Sequence, residues 1–236
     1  MSRVALITGG TRGIGYAVAE ALIRAGDQVA ITGTTTDGVM KAERALASIK
    51  SGQVVGLVAD VRDAPAVALA LRTVVAKFGG LDVLINCAGV GVGAPISDLP
   101  DDEWHRIIGT NLTGVFNCCK AAIPHLRARG GGWIVNVSSL SSTGPFPGGA
   151  AYVASKAGVN AFSDALMQEL REDNIRVTTV LPGSVATGFS GRDAASGADW
   201  KLHPEDVARA IAGALDFPAR SLPSRIELRP SRPKKG

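Results

Sequence analysis

The fold is decided by residues 4–15, which read Val4-Ala5-Leu6-Ile7-Thr8-Gly9-Gly10-Thr11-Arg12-Gly13-Ile14-Gly15. An apolar run is followed by a glycine-rich loop, and apolar residues then recur at helical spacing as far as Arg24. This order predicts a buried strand, a tight loop and a helix. Glycines let such a loop approach a pyrophosphate closely, and the N–H groups at the start of a helix favour its charge. Since glycine-rich loops are often only flexible turns, the position straight after a strand is what supports the prediction.

Strand-like and helix-like segments alternate along the rest of the chain. The predicted strands cover residues 3–8, 28–32, 54–59, 81–85, 133–137, 175–181 and 224–228. Predicted helices cover residues 14–24, 38–50 and 152–170, and others follow Asp63, Pro100 and Pro204, with Thr36 and Asp37 as candidate caps of the second. We therefore predict an α/β protein, a Rossmann-like, doubly wound parallel sheet of about seven strands between two layers of helices.

Length and composition limit the kind of protein. A chain of 236 residues suits one α/β domain, which we place at 1–229 with a basic tail at 230–236. No run of eighteen apolar residues occurs, so we expect no membrane partner and a cytoplasmic protein. Four of the 25 basic residues lie in the last eight positions, which leaves 21 basic against 21 acidic residues elsewhere. This balance argues against nucleic-acid binding.

The cysteines and histidines indicate neither disulfides nor a metal. Three cysteines, two of them adjacent, form no CxxC pair, so reduced thiols are expected: Cys87, Cys118 and Cys119. The three histidines are scattered without metal-ligand spacing: His105, His125 and His203. No metal site is predicted.

A tyrosine and a lysine four residues apart are the candidate catalytic pair. On a helix, Tyr152 and Lys156 lie one turn apart on the same face. A cation about 4 Å from the phenol would lower its pKa by about three units, towards the range in which a general acid or base works best. The pattern also occurs by chance on surface helices. A serine at the end of the predicted fifth strand, Ser139 or its neighbour Ser138, could position a carbonyl oxygen beside the phenol.

Taken together, the loop and the pair resemble the short-chain dehydrogenase/reductase superfamily, in its single-domain branch with TGxxxGxG and YxxxK motifs. The resemblance covers nearly the whole chain and implies hydride transfer between a nicotinamide cofactor and a carbonyl or secondary alcohol. It implies that Tyr152 exchanges the proton, that Ser139 orients the oxygen, and that Lys156 tunes the tyrosine and binds the nicotinamide ribose. Ser139 is preferred because its thirteen-residue spacing from Tyr152 matches the family pattern. Asn111 matches a fourth catalytic position, which holds a water between Lys156 and solvent.

The same resemblance implies a set of cofactor contacts. Asp60 and Val61 correspond to residues that meet the adenine, and Pro182–Thr187 resembles a PGxxxT segment that contacts the nicotinamide. Asn86-Cys87-Ala88-Gly89 resembles the family's NNAG, with Cys87 in place of the second asparagine, which puts some strand-end hydrogen bonding in doubt. The expected cofactor-binding residues are Gly9, Thr11, Arg12, Gly13, Ile14, Gly15, Thr34, Asp60, Val61, Asn86, Ala88, Gly89, Tyr152, Lys156, Pro182, Gly183, Val185 and Thr187.

The end of the predicted second strand favours NADP(H) over NAD(H). An acidic residue there usually holds the ribose 2′-OH of NAD, whereas basic groups accommodate the 2′-phosphate of NADP. Here Gly33-Thr34-Thr35-Thr36 precedes the first acid, Asp37. Arg12 occupies a position at which NADP-preferring family members often carry a basic residue. The Thr34 hydroxyl could also bond phosphate oxygens.

The substrate is not named by the sequence beyond a small carbonyl or alcohol compound. Residues 188–203 include Gly191 and Gly197 and the aromatic side chains Phe189 and Trp200, which predicts a mobile substrate lid. One alternative is a 3-oxoacyl-thioester reductase, with Arg127, Arg129 and Arg171 receiving an acidic carrier. Another is a non-catalytic NADP-binding regulatory or scaffold protein. The resemblance further implies a homodimer or homotetramer packed through the helices of Asn111 and Tyr152, and the basic tail is expected to be disordered unless it docks on a partner subunit.

Overall fold

A computed structural model gives the fold of the chain and describes residues 2–91, 93–189 and 199–232. Its strands are β1 Val4–Thr8, β2 Gln28–Gly33, β3 Val54–Val58, β4 Val83–Asn86, β5 Gly132–Val137, β6 Ile175–Pro182 and β7 Arg225–Leu228. They form a seven-stranded sheet in the order β3-β2-β1-β4-β5-β6-β7, and every pairing is parallel. The predicted doubly wound sheet is confirmed.

Helices cover both faces of this sheet. Their bounds are α1 Gly13–Arg24, α2 Thr36–Ala47, α3 Ala64–Phe78, α4 Asp101–Ile108, α5 Gly114–Ala128, α6 Ala150–Glu169 and α7 Pro204–Leu215. Alternate β1 residues face opposite layers, so Ile7 packs in a cluster with residues of α1, α2 and α7, whereas Leu6 packs with residues of α3, α5 and α6. The protein therefore has two apolar cores separated by the sheet, in a three-layer α/β/α arrangement.

Two helix starts differ from the sequence-based prediction. The cap of α2 is Thr35, whose Oγ1 accepts a hydrogen bond from the Gly38 backbone N–H, so the assignment of Thr36 and Asp37 as caps was wrong. Thr35 has the extended backbone that a capping residue needs, and Thr36 is already helical. Helix α6 begins at Ala150, which places Tyr152 within its first turn. Asp63 caps α3 as predicted, with Oδ1 accepting from the Ala66 N–H.

The helical run that opens at Asp101 is interrupted by a π-helical turn. Residues Gly109–Thr113 form this turn between α4 and α5, with Asn111 at its centre. Such a turn widens the helix locally and is frequent at functional sites. It contains Asn111, the candidate catalytic residue of this run.

The order of the strands reverses beside β1, and this determines where a site can form. Strands β2 and β3 lie on one side of β1, and β4 to β7 lie on the other. The connections that leave β1 and β4 therefore diverge and open a crevice at the carboxyl ends of the strands. Thr8 stabilises this edge, because its Oγ1 accepts hydrogen bonds from the backbone N–H groups of both Cys87 and Ala88 at 3.1 Å.

The structure also bears on membrane-spanning helices, metal-binding groups and the state of the cysteines. Within the described ranges, no helix is long and apolar enough to cross a bilayer. The same residues contain no group of three or more His, Cys, Asp or Glu side chains arranged to hold a metal ion. All three cysteines are free thiols, as predicted, and burial raises the pKa of Cys118 to about 12.

Candidate active site

The glycine-rich loop is pressed against the start of the connection that follows β4. Gly9 has a φ of +66°, and a Cβ atom on it would lie 2.8 Å from the Cα of Ala88. A Cβ atom on Gly15 would lie only 2.5 Å from the carbonyl oxygen of Gly9. No side chain fits at either position, so the loop is a backbone cradle that opens at the N-terminus of α1.

Lys156 is a buried cation at the centre of the site. The residue is 5% exposed, and its Nζ donates a 2.8 Å hydrogen bond to the carbonyl oxygen of Val137, the last residue of β5. Burial lowers the pKa of Lys156 from 10.5 to about 8, and the interaction with Cys87 acts in the opposite direction. Burial likewise raises the pKa of the Cys87 thiol to about 11. The ammonium charge of Lys156 is therefore sensitive to pH just above neutrality.

Tyr152 lies one turn before Lys156 on α6, as the spacing predicted. Its ring centroid is 5.9 Å from Lys156 Nζ and 5.9 Å from the ring centroid of Phe189, which is tilted by 58°. Phe189 belongs to the segment predicted as a lid, of which residues 190–198 lie outside the described ranges. The Tyr152 ring therefore lies near both the buried ammonium of Lys156 and the aromatic ring of Phe189.

The two candidate serines have different surroundings. Ser138 Oγ donates to the backbone oxygen of Lys156 at 3.1 Å, so its proton is engaged in holding α6 against β5. Ser139 Oγ accepts from the Ser141 N–H at 3.1 Å, which leaves its own proton available to donate. The backbone oxygen of Ser139 in turn accepts from Ser142 Oγ, and Ser142 accepts from Asn160 Nδ2. These contacts favour Ser139 as the residue that orients a substrate oxygen.

Asn111 is fully buried and links three parts of the site. Its Oδ1 accepts from the Val90 N–H at 2.8 Å, and its Nδ2 donates to the Val90 carbonyl at 2.9 Å and to Ser155 Oγ at 3.0 Å. Ser155 Oγ donates to the backbone oxygen of Tyr152 at 2.7 Å. The side chain therefore fixes the loop after β4 relative to the start of α6. The water relay implied for Asn111 stays a prediction.

Asn86 does not line the cleft, although its neighbours Cys87, Ala88 and Gly89 do. Its Nδ2 donates to Asn136 Oδ1 at 2.8 Å and to Cys119 Sγ at 3.3 Å, and the residue is 2% exposed. Asn136 then donates to Ser163 Oγ on α6. The side chain of Asn86 therefore points into the layer of α5 and α6, away from the cleft, and the assignment of Asn86 as a cofactor contact stays a prediction. This asparagine pair also supplies the strand-end hydrogen bonding that the Cys87 substitution put in doubt.

One cleft of about 1230 Å³ brings most of the predicted residues together. Ser139, Tyr152 and Lys156 line it, as do the predicted cofactor residues other than Asn86: Gly9, Thr11, Arg12, Gly13, Ile14, Gly15, Thr34, Asp60, Val61, Ala88, Gly89, Pro182, Gly183, Val185 and Thr187. Asn111 lies behind the cleft wall. The Asp60 carboxylate is held by Arg62 in a 2.6 Å ion pair, and this contact lowers the pKa of Asp60.

Several lining residues were missed by reasoning from sequence. They include the aromatic side chain of Phe146, the Cys87 thiol and a group of cations: Arg62, Arg106, Lys201, Arg229 and Arg232. The basic composition of the tail was visible in the sequence, but its contact with the cleft was not. Pro230 packs on Gly183, where a Cβ atom would lie 3.0 Å from Pro230 Cδ, so the expected disorder does not apply to this residue. Residues 233–236 lie outside the described ranges.

Sheets with this strand order bind dinucleotides beside the strand at which the order reverses, and the cleft opens there. The same cleft contains a tyrosine–lysine pair suited to proton exchange. The fold and the site together therefore place the protein in the class of dinucleotide-dependent oxidoreductases.

Comparison with known proteins gives the family. The family model described as short chain dehydrogenase matches residues 3–196. The chain belongs to the short-chain dehydrogenase family, and the resemblance seen in its motifs is confirmed.

Individual relatives agree with this assignment. The chain is 36% identical to a 3alpha-hydroxysteroid dehydrogenase of Mediterraneibacter gnavus, over 79% of this chain and 75% of the relative. It is 38% identical to the 3-oxoacyl-[acyl-carrier-protein] reductase FabG of Staphylococcus aureus, over 80% and 77% of the two chains. An alcohol dehydrogenase from the archaeon Thermococcus sibiricus, solved with 5-hydroxy-NADP, superposes with a TM-score of 0.92 at 30% identity, covering 100% of both chains.

The residues of this chain fit the nicotinamide dinucleotide that the family implies. The glycine cradle offers backbone where any side chain would collide, and the cleft is larger than a typical small-molecule pocket of about 300–1,000 Å³. Its lining extends without a break from Arg12 and Thr34 at one end to Ser139 and Tyr152 at the other. The cleft can therefore accommodate an elongated ligand that reaches Tyr152 and Lys156.

The buried ammonium of Lys156 makes stability depend on pH. Between pH 8 and 10.5 the folded chain binds fewer protons at Lys156 than the unfolded chain does, so this residue makes the free energy of unfolding rise with pH in that window, by up to about 3 kcal/mol. We expect Lys156→Met to remove this contribution. Urea unfolding of the wild type and the variant between pH 7 and 10 measures the difference.

Lys77→Met is the matched control, because Lys77 is an exposed lysine on α3. Its pH dependence of unfolding should coincide with that of the wild type. If Lys156→Met also follows the wild-type curve, Lys156 is not a buried cation with a lowered pKa.

Proposed function

We propose that the protein catalyses reversible hydride transfer between NADP(H) and a carbonyl or secondary alcohol carbon, as a ketone reductase or alcohol dehydrogenase. The observation that carries this proposal is that Ser139, Tyr152 and Lys156 line the same cleft as the glycine cradle. A protein that only bound the cofactor would not require a proton-exchanging pair beside it. This favours an enzyme over the non-catalytic alternative.

The chain's own residues orient the substrate oxygen and exchange a proton with it. When bound, the nicotinamide supplies or accepts the hydride. Ser139 donates a hydrogen bond to the substrate oxygen, since the Ser141 N–H already occupies one of its acceptor positions. Tyr152 gives its phenolic proton to that oxygen in the reducing direction and takes it back in the oxidising direction.

Lys156 supports this proton exchange electrostatically. Its ammonium donates a hydrogen bond to the Val137 carbonyl and stabilises the phenolate that forms when Tyr152 gives up its proton. We assign it a second role in binding the nicotinamide ribose. Asn111 keeps the start of α6 in register with the loop after β4, through Ser155 and Val90.

Replacing Tyr152 by Phe tests the proposed chemistry. The variant keeps the ring that faces Phe189 but has no proton to exchange, so we expect turnover to fall by about 10²–10⁴-fold. The dissociation constant for NADPH should stay within about twofold of the wild-type value. Steady-state NADPH oxidation with a ketone panel and fluorescence titration of NADPH measure the two quantities.

The two serines provide a matched pair for the same assay. Ser139→Ala should lose most turnover, whereas Ser138→Ala should lose much less, because the Ser138 hydroxyl is engaged with the Lys156 backbone. Near-normal turnover of Tyr152→Phe would contradict the proposal. The reverse order of the serine variants would transfer the orienting role to Ser138.

The preference for NADP(H) is supported by a second pocket beside the end of β2. It has a volume of about 530 Å³, and its lining includes Arg12, Lys41, Thr34 and Thr35 but no acidic residue from the described ranges. Two cations with hydroxyl donors suit a phosphate group, whereas the 2′-OH of NAD is usually held by a carboxylate. The 5-hydroxy-NADP in the similar alcohol dehydrogenase agrees with this preference.

Removing both cations should lower affinity for NADPH selectively. We expect Arg12→Gln combined with Lys41→Gln to raise KM for NADPH about tenfold or more while changing KM for NADH by less than about twofold, because only NADPH carries the 2′-phosphate. Steady-state kinetics with both cofactors measure this. Arg24→Gln, at the far end of α1, is the control. Equal kcat/KM of the wild type for NADPH and NADH would refute the preference.

A 3-oxoacyl-thioester substrate is a second candidate, but two of the three arginines predicted to receive its acidic carrier lie far from the cleft. Arg127 pairs with Asp173 at 2.7 Å, and Arg129 pairs with Asp82 at 2.8 Å. Asp82 directly precedes β4 and Asp173 precedes β6, so both pairs lie at the amino-terminal edge of the sheet, opposite the cleft. An acidic carrier bound there would not deliver its acyl group to Ser139 and Tyr152.

We also propose that the protein is a homodimer or homotetramer packed through the α4–α5 run and α6. Trp104 on α4 and Phe116 on α5 are large apolar side chains that are 36% and 46% exposed. Covering them in an interface between copies would remove apolar surface from water. Light scattering after size-exclusion chromatography should give two or four times 24.2 kDa, and a monomeric mass would exclude this assembly.

A further inference from the structure

The chain after β7 forms one wall of the substrate end of the cleft. Leu228 pairs with Pro182, and the Gly183 N–H donates to the Leu228 carbonyl at 2.8 Å. Residues 229–232 therefore emerge at the carboxyl edge of the sheet, where the catalytic residues lie. A Cβ atom on Gly183 would be 3.0 Å from Pro230 Cδ and 3.2 Å from Cδ1 of Leu140, the residue after Ser139. Pro230 thus holds this segment beside the oxygen-orienting serine.

This end of the cleft is positively charged. Lys201, Arg229 and Arg232 line it, and no carboxylate from the described ranges does. Asp60 is the one acidic residue among the described residues that line the whole cleft. It is ion-paired with Arg62 beside Val61, at the opposite end, which is predicted to meet the adenine. Among the described residues that line this end of the cleft, cations therefore outnumber carboxylates.

The three cations are not equivalent. Arg229 pairs with Glu227 at 3.0 Å, outside the cleft lining, so its charge is partly compensated. Lys201 lies above the Trp200 ring, with Nζ 5.9 Å from the centroid. Its neighbour Leu202 donates to the Ser184 carbonyl at 3.0 Å and forms a bridge with Val185. Arg232 makes no ion pair with any described residue, and it is the side chain best able to bind a charged group of a ligand.

The surroundings of these cations are apolar. Leu140, Phe146, Phe189 and Trp200 also line the cleft. A ligand that matches both features has an apolar body with a carbonyl carbon and an anionic group at one end. A guanidinium binds carboxylate or phosphate through two parallel hydrogen bonds, so either anion would satisfy Arg232.

We propose that Arg232, assisted by Lys201, forms an anion-binding subsite. The substrate is then a ketone that carries a carboxylate or a phosphate group, or the alcohol formed from it. This inference rests on the proposed reductase function and adds the substrate class. The carbonyl end of the substrate meets Ser139 and Tyr152, while the charged end meets the segment after β7. Neutral ketones and alcohols of the same size are then poorer substrates.

The test compares acids with their neutral counterparts. The probes are 2-oxobutanoate, acetoacetate and 4-oxopentanoate against their methyl esters, and dihydroxyacetone phosphate against dihydroxyacetone, each with NADPH. We expect the wild type to favour at least one anion over its neutral partner by about tenfold or more in kcat/KM. Arg232→Gln should lower kcat/KM for that anion about five- to tenfold and leave the neutral partner within about twofold, since only the anion gains a charge-assisted contact. The responding pair distinguishes carboxylate from phosphate.

Arg220→Gln is the matched control, because Arg220 is an exposed arginine that does not line the cleft. Equal loss in both variants would mean that only overall charge matters and would overturn the subsite. A rise in KM for NADPH in Arg232→Gln, with unchanged KM for the acid, would assign Arg232 to the cofactor instead. Wild-type enzyme that reduces the neutral compounds as well as the anions would leave the reductase function standing and remove the subsite.

Binding measured without turnover separates the two proposals completely. Calorimetric titration of the NADP⁺-loaded enzyme with each acid should give a dissociation constant that Arg232→Gln weakens by a similar factor. If no ketone is reduced but this binding and its loss are observed, the subsite stands and the reductase function fails. If the acids neither bind nor react, the subsite is refuted.

Discussion

Burial of the Lys156 ammonium against the Val137 carbonyl is the constraint on which the site depends. An amine in this position loses its hydration, so the protein must supply a hydrogen-bond acceptor and hold the surrounding elements in place. Ser138 ties the backbone of Lys156 to the end of β5, and Asn111 ties the first turn of α6 to the loop after β4. The same contacts place Tyr152 and Ser139 on the cleft, so they both offset the cost of burying the cation and position the proposed catalytic residues.

Much of the fold could be predicted because strand and helix patterns alternate along the whole chain. Alternation of strand and helix patterns predicts the parallel sheet, and a tyrosine and a lysine one turn apart predict a shared face of α6. Sequence does not determine which face of the sheet a side chain at the end of a strand occupies. Asn86 ends a strand near the cofactor loop, yet its amide points to Asn136 and Cys119, because a polar side chain on the helix-covered face must find a partner there.

The cap of α2 and the tail show a second limit. Thr35, Thr36 and Asp37 are all good capping residues, and only the backbone conformation selects Thr35. Residues 230–236 are predicted as a disordered basic tail because composition carries no information on long-range contacts. Its attachment to Gly183 follows from the pairing of β7 with β6, which brings residues 229–232 back to the catalytic edge. Both ends of the cleft consequently carry cations, although the charge of the chain outside its last eight residues is balanced.

Transfer of a labelled hydride measures the central claim most directly. NADPH carrying deuterium at C4 of the nicotinamide, in its 4R and 4S forms, would be incubated with the protein and a panel of ketones and oxo acids, and the alcohols analysed by mass spectrometry. The proposed reductase places one deuterium on the carbinol carbon from one of the two forms, and Tyr152→Phe slows this transfer sharply. Alcohol without label from either form, or no alcohol from any member of the panel despite tight NADPH binding, would contradict the account.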